Sequence, residues 1–288
     1  MSSKAKFTIK EEWINSENTK LYSKQWIPVG KIKATMVFVH GLGEHVNRYD
    51  MFELFATAGI KVVGYDQRGF GNTVRQSGLH GHSEGLKTQL ADIKLISNRT
   101  KIDGLPHFLM GHSMGGGLTL LYAAQNPNEF TGVIASAPLI SPGHKATPSS
   151  VEKIALSVIP QLLPSFVIPN ALDLTTLTRD PIELKKYIED PLVHSWVSAQ
   201  LVSDLCFEFP KLLTLSLIQT FKMPIYLTHG TADGLTCPKA SKKFMELIPS
   251  SDKTFKEFPG YYHELHNEPI NDRKVIVDGY IGWILEHS

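Results

Sequence analysis

Apolar residues recur along this chain in two rhythms, and the change between them lays out its elements. In the first thirty residues Phe7, Ile9, Trp13, Leu21, Tyr22 and Trp26 are spaced among charged and polar positions, which predicts an antiparallel hairpin. Farther on the spacing gives way to short apolar runs: Thr35-Met36-Val37-Phe38-Val39, Lys61-Val62-Val63-Gly64-Tyr65, His107-Phe108-Leu109-Met110 and Pro224-Ile225-Tyr226-Leu227-Thr228. A strand covered on both faces has no polar side, so such runs predict a mostly parallel sheet flanked by helices. Lys253-Thr254-Phe255-Lys256-Glu257-Phe258 alternates and predicts one more strand.

One interval breaks the pattern. Between Ser136-Ala137-Pro138-Leu139, where one core strand ends, and Met223-Pro224, where the next begins, lie roughly eighty residues, far more than a crossover needs. Residues 141–215 are read as a helical cap over the rim of the sheet, and residues 1–140 and 216–288 as the core. No charged residue occurs from Ile154 to Leu172, where Ile154, Leu156, Leu162, Leu163, Phe166 and Val167 crowd together. A membrane span needs about twenty apolar residues, but Pro160, Pro164 and Pro169 would interrupt a helix here. The run is read as a broken apolar lid. It would serve as an acyl-chain entrance dipping into a membrane or micelle, or else lie packed on the core.

Composition narrows the picture without changing it. A length of 288 residues suits one large α/β domain with an insertion, and a 42% hydrophobic fraction is ordinary for a globular chain. A net charge of +1 without a basic stripe excludes a nucleic-acid binder from the expectations. Two cysteines, Cys206 and Cys237, make no disulfide framework and suit a reducing compartment. Met1-Ser2-Ser3-Lys4-Ala5-Lys6 lacks the apolar stretch of a secretory signal, so a cytoplasmic location is expected, with peripheral attachment to membranes or lipid droplets through the cap. There is no HExxH, CxxC or EF-hand pattern, and neither a metal nor a cofactor is expected.

The sharpest chemistry lies in Gly111-His112-Ser113-Met114-Gly115, between the 107–110 strand and a helix running to about Gln125. Gly-x-Ser-x-Gly at such a junction lifts the serine hydroxyl above the sheet on a strained turn. A side chain at Gly111 or Gly115 would crowd that turn. The helix aims its N-terminal amides at charge developing near Ser113.

A serine hydroxyl needs a base, and the base needs a group to orient it. On this kind of turn the acid and the histidine follow the serine in chain order. Asp233, in Gly230-Thr231-Ala232-Asp233-Gly234, and His263, in Pro259-Gly260-Tyr261-Tyr262-His263, fit that order. All three lie beyond the carboxyl ends of strands, which a parallel sheet gathers along one rim.

Among twelve histidines, His266 competes with His263 for the base, and His263 is preferred because it directly follows the turn. His112 is read as structural, and Asp173 and Asp204 stay open as alternative acids. The two amides needed for an oxyanion are assigned to Met114, after the nucleophile, and Leu42, in His40-Gly41-Leu42-Gly43-Glu44. Arg68, in Asp66-Gln67-Arg68-Gly69-Phe70-Gly71, is read as bracing the rim.

Together with His263-Glu264-Leu265-His266, these segments resemble the monoacylglycerol lipases, a branch of the serine α/β-hydrolases, over nearly the whole chain. The resemblance implies an α/β-hydrolase fold with a helical cap insertion. It implies a carboxylic ester hydrolase that takes monoacylglycerol, a lipid substrate, through an acyl-enzyme. It makes Ser113, Asp233 and His263 the triad and Leu42 and Met114 the oxyanion donors. It gives Glu44, Arg48 and His266 the glycerol side of the pocket, so that His266 would bind substrate. Cys237 lies near Asp233, offset by a residue from the family's reactive cysteine. A lysophospholipase or general carboxylesterase is the nearest alternative. A non-catalytic ligand receptor of the same fold is the alternative of a different class, and the ordered Ser113, Asp233 and His263 argue against it.

Overall fold

The computed structural model describes residues 6–143, 158–169 and 172–288. The expectations for Met1–Ala5, and for the Ile154 and Leu156 part of the apolar run, lie outside the described residues. In chain order the strands are β1 (Phe7–Ser16), β2 (Thr19–Pro28), β3 (Ala34–Val39), β4 (Ile60–Tyr65), β5 (His107–His112), β6 (Gly132–Ser136), β7 (Val167–Pro169), β8 (Trp196–Ser198), β9 (Ile225–Gly230) and β10 (Lys253–Phe258). Eight form one sheet in the order β1-β2-β4-β3-β5-β6-β9-β10. The β1–β2 hairpin joins β4 antiparallel, and the strands from β4 to β10 run parallel. This is the α/β-hydrolase fold.

The apolar runs are continuous because each parallel strand feeds two cores. Val37 and Val39 of β3, Leu109 of β5 and Leu227 of β9 join Ile93, Leu118 and Phe244 from the helices Leu86–Thr100, Met114–Gln125 and Pro238–Leu247. Their neighbours Met36, Phe38, Phe108, Met110 and Tyr226 face the other way, against Phe52 and Phe55 of the helix Phe52–Thr57 and Tyr280 and Trp283 of the helix Ile270–Glu286. Successive side chains of a strand point to opposite faces, so apolar residues at consecutive positions are what two covered faces require. Burying each large side chain contributes about 1.5–3 kcal/mol.

Between β6 and β9 the described chain adds no strand to the main sheet. It carries the helices Pro181–Glu189, Ala199–Phe207 and Leu215–Ile218, with 3-10 turns at Leu174–Thr176 and Phe209–Leu213. Asp180 caps the first of these helices by accepting from Ile182 N and Glu183 N, and Pro181 opens it without losing a needed donor. The segment is not wholly helical, because β7 pairs antiparallel with β8. Pro164 and Pro169 stop a helix on either side of β-branched Val167 and Ile168, leaving an extended piece. Leu162 is 76% exposed, and Leu163, Phe166 and Trp196 are also open. Among the described residues no helix is long and apolar enough to cross a membrane.

Candidate active site

Ser113 stands between the end of β5 and the helix Met114–Gln125 with φ 57° and ψ −122°, a conformation a side-chain-bearing residue adopts only under strain. Its surroundings hold it there. Ser113 N donates to Ser136 O at 3.0 Å, and its carbonyl accepts from Gly117 N at 3.0 Å and Leu139 N at 2.8 Å. A Cβ on Gly111 would lie 2.2 Å from Gly115 O, and one on Gly115 would lie 2.1 Å from Val39 O. Both glycines are therefore forced by contact with backbone.

The loops after β9 and β10 bring the other two predicted residues to this turn. Ser113 Oγ is 2.8 Å from His263 Nε2, and His263 Nδ1 is 2.7 Å from Asp233 Oδ2. The loop carrying Asp233 is held by the carboxylate itself, whose Oδ1 accepts from Leu235 N at 2.8 Å and Thr236 N at 3.0 Å. Burial pushes the Asp233 carboxyl up, but the adjoining His263 and His229 rings outweigh it and hold the acid well below the usual range. Burial pulls His263 down, but the Asp233 carboxylate at Nδ1 outweighs it and holds the ring above its ordinary value. A ring so placed can take a proton from Ser113 while Asp233 stabilises the resulting cation.

The alternatives have other work. Asp173 accepts from Thr175 N, and Asp204 accepts from Leu86 N and from Gln200. His266 stacks on Tyr49, with ring centroids 4.7 Å apart. His112 lies between His263 and His266, with centroids at 4.7 and 4.8 Å, and burial pushes it down to about 3.

The loop with Leu42 comes directly beside the serine, since a Cβ on Gly41 would sit 3.1 Å from Ser113 Cβ. Gly41 N is committed to Glu44 Oε1 at 2.7 Å, so Leu42 carries the next amide of that loop. Met114 opens the helix whose N-terminus faces the turn. Glu44 and Arg48 belong to one buried network with a residue the motifs alone did not single out. Arg48 bridges Glu44 and Glu264, gripping Glu264 through both oxygens at 2.7 and 2.9 Å. Burial pushes Glu264 up, but Arg48 overrides it and holds the carboxyl well below the usual range. Arg68 braces the rim as expected, pairing with buried Asp92 at 2.8 Å and with Glu84 at 3.0 Å.

Three further contacts escaped the sequence reading. His229 and Thr236 both reach Asp233 Oδ2, at 3.0 and 2.7 Å, and His263 N donates to Thr176 O. His229 carried a usable signal, a polar ring ending an apolar strand four residues before the acid. Thr236 is the residue near Asp233 whose side chain turns inward to it, while Cys237 stands directly before the helix Pro238–Leu247. No cluster of metal ligands occurs among the described residues.

The chain is similar to known proteins over most of its length. A family model described as serine aminopeptidase, S33, matches residues 30–270. A putative monoglyceride lipase of Schizosaccharomyces pombe is 37% identical over 274 residues, which are 93% of this chain and 72% of that protein. An uncharacterized abhydrolase domain-containing protein of Dictyostelium discoideum is also 37% identical, over 95% of this chain, and the chain spans only 28% of its length. The crystal structure of a monoacylglycerol lipase from Paleococcus ferrophilus superposes with a TM-score of 0.83 at 33% identity, covering 93% of this chain and 99% of that one.

Proposed function

The chain belongs to the serine α/β-hydrolase family whose model it matches, and within it to the monoglyceride lipases, and from that premise we propose that it hydrolyses monoacylglycerol to fatty acid and glycerol. The observation that carries the proposal is the line from Ser113 Oγ to His263 Nε2 at 2.8 Å and from His263 Nδ1 to Asp233 Oδ2 at 2.7 Å. In this reading Ser113 is the nucleophile, His263 the base and Asp233 the acid.

Ser113 Oγ attacks the ester carbonyl as its proton passes to His263 Nε2. The amides of Leu42 and Met114 hold the tetrahedral oxyanion, an interaction whose loss typically costs about 10²–10³ in kcat. His263 then gives its proton to the glycerol oxygen, and the acyl group stays on Ser113. Water, deprotonated by His263, attacks that ester, and collapse returns the proton to Ser113 Oγ with release of the fatty acid.

Residues 141–215 act as the cap in this reading. Exposed Leu162, Leu163, Phe166 and Trp196 support contact with a lipid surface, and in this reading the enzyme is cytoplasmic and visits membranes or lipid droplets. Glu44, Arg48 and His266 flank the leaving glycerol. Their burial in the network beside His263 supports that placement, with His266 Nε2 buried and unpartnered among the described residues.

The test is fatty-acid release from monoacyl-, diacyl- and triacylglycerols by the wild type and Ser113→Ala. A preference for monoacylglycerol that the variant loses is the expected result. Serine-dependent cleavage of simple esters without cleavage of monoacylglycerol would retain the mechanism and reject the lipase.

A further inference from the structure

We propose that His229 is a positioning residue for the acid, a second imidazole that donates to Asp233 Oδ2, holds it in line with His263 and tempers its charge. The proposal rests on reading Ser113, His263 and Asp233 as the hydrolytic triad.

His229 lies at the end of β9, four residues before Asp233, and is wholly buried. Its Nε2 is 3.0 Å from Asp233 Oδ2, and its Nδ1 is 2.9 Å from Ser241 Oγ on the helix Pro238–Leu247. A ring nitrogen that donates to a carboxylate carries the proton, so Nδ1 is left to accept the Ser241 hydroxyl proton. Ser241 therefore fixes which face and which nitrogen His229 offers. The chain after β9 is tied to the base loop by backbone hydrogen bonds, Thr231 N donating to Phe258 O and Ala232 N to Tyr261 O, both at 3.0 Å.

Oδ2 is thereby shared among His263 Nδ1, His229 Nε2 and Thr236 Oγ1, while Oδ1 accepts the two loop amides. Every lone-pair direction of the carboxylate is engaged, so it cannot rotate away when His263 takes the serine proton. Each extra donor also draws charge from the oxygen that His263 feels. That matters because the carboxylates facing His263 are Asp233, Glu264 and Glu44, all favouring its protonated form, opposed by burial. The His112 ring also faces His263, with ring centroids 4.7 Å apart. The groups facing His229 are Asp233, Thr236 and Ser241. A base protonated too readily is idle near neutral pH, and the most effective base titrates near the working pH. A donor on Asp233 opposes the excess.

Removing that donor leaves more negative charge on Oδ2, so the imidazolium is favoured and the acid limb of kcat/KM moves to higher pH. The experiment is the pH profile for 4-nitrophenyl butyrate, with folding checked by thermal unfolding. His229→Leu is expected to shift the limb upward by about half a pH unit and to lower kcat about tenfold. His229→Gln, whose amide can still donate to Oδ2, is expected to restore the wild-type limb. Should the leucine variant fail to fold, Ser241→Ala frees the tautomer and is expected to move the limb in the same direction by less. A limb that stays in place or moves down, or a Gln variant no better than Leu, overturns the role of His229 alone. Ester hydrolysis that survives Ser113→Ala overturns the triad reading instead.

Discussion

His263 N donates to Thr176 O at 3.0 Å, so the base of the candidate site is tied to a segment outside the main sheet. The same residue reaches the acid loop, because Thr176 Oγ1 accepts from Gly234 N at 3.2 Å. Its neighbours continue the strap. Glu264 N donates to Leu177 O at 2.7 Å, Thr178 Oγ1 donates to Asn267 O at 2.6 Å, and Arg179 pairs with Glu268 at 2.7 Å. One short run therefore spans the loops of both Asp233 and His263.

Thr176→Val keeps the shape and removes the acceptor for Gly234 N, leaving a partly buried amide unpaired. We expect kcat to fall about three- to tenfold with KM nearly unchanged, and Thr176→Ser to stay near wild type. Steady-state kinetics on a soluble ester separates the two; a change confined to KM would deny the strap a part in positioning.

The two glycine environments predict opposite signs. Gly115→Ala pushes a methyl into Val39 O and His40 O, backbone atoms that cannot move without shifting β3, and should cost more than about 3 kcal/mol or prevent folding. Gly282 lies in the helix Ile270–Glu286 with open space where a Cβ would stand, so Gly282→Ala should stabilise by about 0.5–1 kcal/mol. Urea unfolding measures both, and a tolerated Gly115→Ala would contradict the packing described for the turn.

Burial pushes His112 down to about 3 from 6.5, so the unfolded chain takes up a proton below pH 6.5 that the folded chain refuses. Its contribution is present above pH 6.5 and is lost as pH falls toward 3. His266, pushed down to about 3, acts in the same sense, whereas Asp66, pushed up to about 6 by burial, acts in the opposite one. The variant His112→Gln isolates one group: between pH 7 and 5 the wild type should lose about 1–2 kcal/mol more stability than the variant. Parallel stability curves would show that His112 is protonated in the fold.

Leu162 and Phe166 are 76% and 53% exposed on a segment whose aliphatic surface has no charge to hydrate it. Replacing both by Asp should weaken sedimentation with phosphatidylcholine vesicles at least severalfold while leaving short-ester hydrolysis within about twofold. Equal losses in both assays would argue that the pair serves the fold or the site instead of a lipid surface.

Much of this was readable along the chain. The hairpin, the runs of β3, β5 and β9, the turn at Ser113, and the placing of Asp233 and His263 after strands are local consequences of side-chain periodicity and glycine spacing. Periodicity and spacing are written into consecutive residues, so no distant contact was needed to see them. Other features were legible only in three dimensions. Periodicity alone could not set His263 against Ser113 and His266 against Tyr49, because the two histidines lie only three residues apart, His266 in the 3-10 turn Leu265–Asn267. Nor could it join Arg48 to Glu264, His229 and Thr236 to Asp233 Oδ2, or Thr176 to His263 N. Those contacts exist because sheet order and helix packing bring distant segments within hydrogen-bonding reach, and a buried charge or amide must then find whichever partner the packing supplies.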